Sequence, residues 1–425
     1  MTNVAGQLVT VISGFVIGVL VSRLIGVEGR GEIYFVLATT SLGLMMGTLG
    51  LPASNIFLLA KREYDPKQIF GNAFVLSVLS GGLLFVMGVV YVQYAGNSIR
   101  GIDAGLLIVG ILSVPLLIIF SNISSILQGL GNTLLYNKLI IFTQLIGSCS
   151  LIAVIISTRS AYGYIVATVL IALGNFVILF VICRKLGITS FGFNRELFSN
   201  QIAYAMQLYA SNILTHMVLR IDVFLVNYYL GVKALGYYSL AVAVCETILI
   251  LPFAIGTMLF PRASSLTHGE MRGLVSAAFR HTLLITMVMA VLLIFASDLL
   301  ITVIYGRDFR PAVPATVFLA PSMVAMGALS VSFNGIASLG TNRVLILVPA
   351  VGLAVNVILN LMLLPAIGVI GASIAATVTY WLELLLSFGV LYRLLGLKVK
   401  HYVVFQKEDF AVYRRLIKRL ASLTL

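Results

Sequence analysis

From its first residues the chain is a succession of apolar runs parted by short polar breaks. The runs occupy 3–22, 33–60, 68–94, 104–127, 136–157 and 161–183, then 199–229, 233–260, 276–297, 312–337, 343–364 and 368–392. Each is near the roughly 20 residues that an α-helix needs to cross hydrocarbon. A helix also satisfies every backbone N–H and C=O within its own segment, which lipid demands. Barrel strands would be about 10 residues long and alternate in polarity, and these runs do neither. The pattern predicts an all-α integral membrane protein of about twelve transmembrane helices. A polar connector at 184–198 (Arg184, Lys185, Arg195, Glu196) parts the runs into two sets of six. The expected organisation is a six-helix bundle at 1–190, a second at 191–395 and a basic cytoplasmic tail at 396–425.

The two sets look like copies of each other. Leu24–Tyr34 reads LIGVEGRGEIY and Tyr229–Ser239 reads YLGVKALGYYS. Both contain G-V-x-x-x-G, with Gly26 and Gly231, then Gly31 and Gly236, 205 positions apart. Leu130-Gly131-Asn132 and Leu339-Gly340-Thr341 are 209 apart, as are Ala167-Thr168-Val169 and Ala376-Thr377-Val378. Matches in one order at a nearly constant offset mark an internal repeat. An even number of spans per repeat starts both halves on the same side, giving a parallel pseudo-twofold pair suited to alternating access. Small residues at helix spacing (Gly14/Gly18, Gly43/Gly47) admit close helix approach. Pro52, Pro115, Pro252, Pro321 and Pro349 lie inside runs and permit kinks, static or hinge-like.

Composition sharpens the picture: 60% of residues are apolar and 10% charged, where soluble domains carry about 25% charged. The net charge of +13 suits loops and a tail facing an anionic leaflet. No soluble basic domain is present to hold nucleic acid. With the N-terminus inside, the expected outer loops hold Arg23, Arg30, Arg100, Arg159, Lys233, Arg307 and Arg310, fewer than the inner loops and tail together. Both termini are therefore expected in the cytoplasm. The first run starts almost at Met1, without a basic lead or small-residue cleavage motif, and reads as a retained helix. In the tail, Phe410, Tyr413, Ile417 and Leu420 form one helical stripe opposite Arg414, Arg415, Lys418 and Arg419. That suits an interfacial helix on anionic membrane lipids, or one packed on the protein's own inner face.

Charge inside hydrocarbon costs roughly 2.5–3.5 kcal/mol per group and seldom persists without a role. Arg220 and Asp222 in the seventh run and Glu246 in the eighth qualify. His216 precedes Arg220 by four and shares its helix face, whereas Asp222 points elsewhere. Arg220 is a candidate phosphate contact in a central cavity, or half of a buried pair with Glu246. Arg23, at the end of the first run, is a second phosphate contact at the outer mouth or a snorkelling anchor. Amides such as Asn3, Gln7 and Asn55 suit a sugar or interhelical hydrogen bonds. Tyr380, Trp381 and Glu383 in the last run are expected to pack.

Cys149, Cys183 and Cys245 all fall in apolar runs and read as small hydrophobes. There is no P-loop, no H-E-x-x-H and no histidine cluster, so no metal, cofactor or enzymatic activity is expected. Transport would draw on an ion gradient, with H+ or Na+ the candidate ions, on membrane potential, or on consumption of product.

The stretches 23–34 (RLIGVEGRGEIY), 219–240 (LRIDVFLVNYYLGVKALGYYSL) and 252–262 (PFAIGTMLFPR) resemble Wzx-type polysaccharide flippases. These share a superfamily with multidrug and toxic compound extrusion transporters and the lipid II flippase. The resemblance spans essentially residues 1–395 and is most specific at 219–262. It implies two six-helix lobes in a V around a cavity, in a bacterial inner membrane. It also implies a polyprenyl-pyrophosphate-linked oligosaccharide as cargo, moved from the inner to the outer leaflet. A glycan polymerase or assembly protein is an implied partner. Arg220 and Asp222 occupy the R-x-D-x-F position, to which no fixed role attaches. The alternatives are a drug/cation antiporter of the same fold, which would want acidic groups in the cavity, and a membrane-embedded glycan polymerase, which would want large outer loops.

Overall fold

The computed structural model describes residues 2–94, 99–263, 266–339 and 342–396, with backbone alone for 2–9, 207, 208, 257, 258, 260–263, 268 and 342. The amphipathic tail stripe and the Gln7 side chain lie outside the described residues. Every regular element among the described residues is helical. In chain order α1 is Thr2–Leu20, continued by a π-helical turn Val21–Ile25, then α2 Gly26–Gly47, α3 Leu51–Lys61 and α4 Pro66–Tyr94. Next come α5 Ala104–Ile111, α6 Ser113–Gly129, α7 Thr133–Thr158 and α8 Ala161–Lys185. The second half holds α9 Arg195–Leu230, α10 Val232–Glu246, α11 Ile250–Ala263 and α12 His268–Leu300 with a π-helical turn Ile301–Tyr305. It ends with α13 Ala312–Ser338, α14 Asn342–Ile367 and α15 Val369–Leu395.

Eleven helical segments among the described residues are long and apolar enough to cross a bilayer. The first, Thr10–Gly47, has 38 residues. At 1.5 Å per residue that is about 57 Å, nearly twice a hydrocarbon core. It does not run through: Gly26 closes the π turn at φ 89° and opens α2, a conformation glycine adopts without a Cβ clash. Counted as two spans, it brings the total to the expected twelve.

The repeat extends beyond its matching letters to the backbone. Gly26 (φ 89°) and Gly231 (φ 81°) end the first span of each half, 205 positions apart. At the same offset, Gly101 (φ 77°) answers Gly306 (φ 113°). At an offset of 209, Arg159 (φ 48°) answers Gly368 (φ 63°), and Gly187 (φ 68°) answers Gly396 (φ 63°). The second run of each half is also broken, though at an offset of about 199 and not 205 or 209. The expected run 33–60 is two helices, parted where Leu49 (φ 50°) and Gly50 (φ 70°) turn left-handed. Its counterpart breaks into α10 and α11 around a 3₁₀ turn, Thr247–Leu249. Pro52, Pro115 and Pro252 were expected to kink helices, and instead each stands in a first turn just past a break. There the missing N–H costs no hydrogen bond. Pro321 and Pro349 do lie inside helices.

Contacts gather into two compact units, Met1–Leu240 with Leu300–Pro311, and Ala241–Leu299 with Ala312–Leu425. In the first, α3, α4, α6 and α8 close on Leu58, Ile69, Phe70, Ile126 and Leu179, with Leu197 of α9. In the second, α13 is the most enclosed helix, packed by α11 and α15. Small residues permit this: Gly327 lies against Pro252 and Thr286, and Gly371 against the Leu363 backbone. Without a hydrophobic drive between helices in lipid, such close backbone approach supplies the attraction.

Candidate functional site

In the first unit, α9 lies antiparallel along α2 and presents a polar stripe to it. Tyr209 donates to Met46 O, His216 Nε2 lies 3.3 Å from Ser41 Oγ, and Arg220 Nη1 donates to Tyr34 OH at 3.1 Å. The Phe224 and Phe35 rings meet edge-on at 5.3 Å. The stripe follows from spacing: residues 209, 216, 220 and 224 recur at whole turns of one helix face. Its lower end sits at the break after α2, where terminal carbonyls lack an intrahelical donor. Tyr209 takes Met46 O, and Ser80 Oγ donates to Gly47 O at 2.8 Å. His216 and Arg220 are both half-buried.

The upper end of this unit is closed by backbone. A Cβ on Gly31 would run into Val232 O, and a Cβ on Gly236 into Val27 O. Val27 and Val232 are themselves repeat-mates, so α2 and α10 cross reciprocally about a local two-fold. Beside the crossing is Arg30, which the charge count had placed in an outer loop. The structure corrects this: helix α2 begins at Gly26, and Arg30 is 7% exposed in its second turn. Arg30 Nη1 donates to Gly18 O at 2.9 Å and Ser22 Oγ at 2.7 Å, while Nε donates to Ser239 Oγ at 3.0 Å. Its guanidinium stands 6.0 Å from the Tyr305 ring. It thereby ties α1, α2, α10 and the second π turn together. Its partner Ser239 is 209 positions away, too distant in sequence to be read locally.

The other expected site residues fall elsewhere. Asp222 points away from α2, is 4% exposed and accepts from Tyr238 OH of α10 at 2.8 Å. Arg23 donates through Nε to Ile304 O at 2.7 Å and through Nη2 to Val303 O, capping the carbonyls of the second π turn. Asn55 has no exposed surface. Its amide donates to Asn122 O (3.0 Å) and Ser125 Oγ (3.1 Å) and accepts from Gln201 Nε2 (3.0 Å). Gln201 in turn accepts from Asn72, which brackets Asn194 at the start of α9. Asn55 thus anchors α9 onto α3, α4 and α6. Glu246, in the second unit, is half-buried and ends α10 at its break.

Two concavities flank this framework. At the end of the first unit where α2 and α10 begin, a cleft of about 390 Å³ is lined by Ile25, Val27, Glu28, Lys233, Tyr237 and Asp308. Between α7 and α8 an apolar groove of about 520 Å³ carries Lys138 as its charged residue. Among the described residues no group of three or more His, Cys, Asp or Glu is placed to hold a metal ion.

A family model described as polysaccharide biosynthesis protein matches residues 20–314. The uncharacterized membrane protein MJ1068 of Methanocaldococcus jannaschii is 24% identical over 239 residues, 54% of this chain and 46% of that protein. The match therefore spans about half the length of that relative. Among solved structures, the lipid II flippase MurJ in an inward closed conformation superposes with a TM-score of 0.77 at 16% identity, covering 94% of this chain and 88% of that one. An inward-facing multidrug resistance MATE family transporter of the MOP superfamily superposes with a TM-score of 0.73 at 13% identity, covering 91% and 95%. At such identities the likeness is one of fold.

Proposed function

The chain belongs to the polysaccharide biosynthesis protein family, whose model matches more than two thirds of it, and from that membership we propose that it is a flippase for lipid-linked oligosaccharides. Its fold, shared with MurJ and a MATE transporter, is one that accommodates transport. The cargo would be a short glycan on a polyprenyl pyrophosphate, moved across the cytoplasmic membrane by alternating access between the two repeats.

One observation carries the reading: Arg220 stays half-buried in a transmembrane span, on the stripe it shares with His216. A guanidinium presents paired donors to a phosphate, which suits a pyrophosphate headgroup better than a point charge does. The breaks at residues 48–50 and 247–249 add support, since interrupted helices in the corresponding run of each repeat are a feature of transporter binding sites. The antiporter reading draws on the likeness to a MATE transporter, yet Asp222 is buried against Tyr238 and is not offered to a cationic drug.

The test is complementation of a bacterium lacking its own oligosaccharide flippase, comparing wild type with Arg220→Ala and Arg220→Lys at equal protein levels. Surface glycan restored by wild type and abolished by R220A supports flipping through a cationic contact, with R220K intermediate. Full complementation by R220A removes Arg220 from that role. Failure on several glycans, together with efflux of cationic dyes, favours the antiporter.

A further inference from the structure

Helices α7 and α8 form an antiparallel hairpin about the turn at 159–160, and the apolar groove between them runs from Leu135 to Leu145. That is about 15 Å of helix rise, half the thickness of a hydrocarbon core and so the depth of one leaflet. Ile178 and Ile182 of α8 form its other wall and are half-buried. The repeat offset of 209 maps α7 onto α14 residue for residue, Thr133–Thr158 onto Asn342–Ile367. In the second hairpin Ser387 and Leu391, the mates of Ile178 and Ile182, are fully buried. It is closed at the positions where the first stands open.

The two hairpins differ in charge at the same place. Lys138 lines the groove and is exposed, and its mate is Leu347, also exposed. Lys185, exposed at the end of α8, follows Ile182 by three residues and so shares its face. Its mate is exposed Leu394, whereas the neighbouring Arg184 is matched by Arg393. Counted from the turn, Lys138 is 21 residues along one leg and Lys185 25 along the other, so their levels differ by about one helical turn. Side chains lean toward the N-terminus of their own helix. Lys138 therefore leans toward the open end of the hairpin and Lys185 back toward the groove, and the two ammonium groups converge there. Helices α1, α6, α7 and α8 contain no Asp or Glu. Glu28 and Glu32 of α2 stand at the opposite end of the hairpin, where Gly29 meets Ala161. At the lysine end, where Gly129 meets Leu59, Glu63 pairs with Lys61 at 3.4 Å and Asp65 accepts from the Lys67 backbone N–H at 2.8 Å. Glu196 stands in the first turn of α9, where the helix dipole favours a carboxylate.

We propose that the groove between α7 and α8 is a binding site for an anionic phospholipid, with one hydrocarbon chain in the groove and the phosphate held between Lys138 and Lys185. A phosphodiester brings the charge that two clustered ammonium groups attract, and basic pockets between transmembrane helices recognise such headgroups. One chain of a phospholipid matches the one-leaflet depth of the groove, whereas a polyprenyl chain is longer than a leaflet is thick and would overrun it. The site lies beyond the transport reading and does not rest on it, since a lipid of the surrounding membrane fills it whether or not a glycan is moved.

Native mass spectrometry of the full chain in detergent tests it, with phosphatidylglycerol titrated against phosphatidylcholine of the same chains. Wild type should retain phosphatidylglycerol in preference. Lys138→Leu and Lys185→Leu together install the leucines that the second hairpin carries at both places, and should weaken phosphatidylglycerol binding roughly thirtyfold. Leu145→Trp fills the groove and should weaken binding with both lysines in place; it also covers the case in which the double variant does not fold. No preference in wild type, or an unchanged preference in the double variant, overturns the site. Binding that needs the lysines but ignores L145W is headgroup attraction without a seated chain, and overturns it too. Displacement of phosphatidylglycerol by an equal concentration of polyprenyl phosphate overturns the phospholipid assignment and gives the groove to that chain. None of these readouts involves complementation, so the site and the flippase reading stand or fall separately.

Discussion

Arg30 holds α1, α2 and α10 through Gly18 O, Ser22 Oγ and Ser239, each hydroxyl passing its own proton to a carbonyl of its helix. Replacing Arg30 by Ala leaves buried hydroxyls and a carbonyl without their charged donor. Hydrogen bonds to charged groups contribute about 1.5–3 kcal/mol each, only partly additively, so Arg30→Ala should destabilise by about 3 kcal/mol. Arg30→Lys recovers only part, because an ammonium lacks the rigid fork that reaches both serines. Melting of the purified chain in detergent measures both, and an R30A chain that melts like wild type removes the hub. Arg220 shows the limit of local reading from the other side. Its helix face and its neighbour His216 follow from spacing alone, while its partner Tyr34 lies 186 positions away.

The duplicated crossing of α2 and α10 makes a claim about elements. Gly31 and Gly236 are needed because each lies on the other helix's backbone. Alanine at either position forces the helices apart and should cost about 1–3 kcal/mol, the usual penalty of overpacking. Gly174 of α8 has open space where a Cβ would stand. Gly174→Ala should be neutral or stabilising by up to ~1 kcal/mol, because alanine loses less entropy in a helix. Thermal melts of the three variants side by side separate packing from propensity; equal losses in all three would deny the crossing its role. The break after α2 was hidden in the sequence because Leu49 turns left-handed as a non-glycine. Tyr209, Ser80 and the Gly50 contact with α9 stabilise that turn from outside the segment.

For the molecule as a whole, the testable statement is topology. If Lys and Arg bias the loops as expected, the turns near Gly26, Gly231 and Gly306 face outward. A cysteine at exposed Lys233 should then react with an impermeant maleimide in spheroplasts, and one at exposed Glu63 only after lysis. Cys149 is exposed and would be replaced by serine first, while the buried Cys183 and Cys245 can stay. The opposite labelling pattern reverses the orientation.

By itself the sequence determined the solvent, the number of crossings and the duplication. Each follows from a local rule: a span is a fixed length of apolar chain, and a tight turn or close crossing needs glycine wherever it recurs. The tertiary structure decided what each polar side chain does. Asn55 became an anchor for α9, Asp222 a partner of Tyr238, and Arg23 a cap on a distant π turn. Arg30 moved from an expected loop into the core, and Glu383 from expected packing to a buried carboxyl resting on Gly352. The reason is the same in every case: in lipid a polar group must find its partner on another helix, and only folding brings that helix alongside.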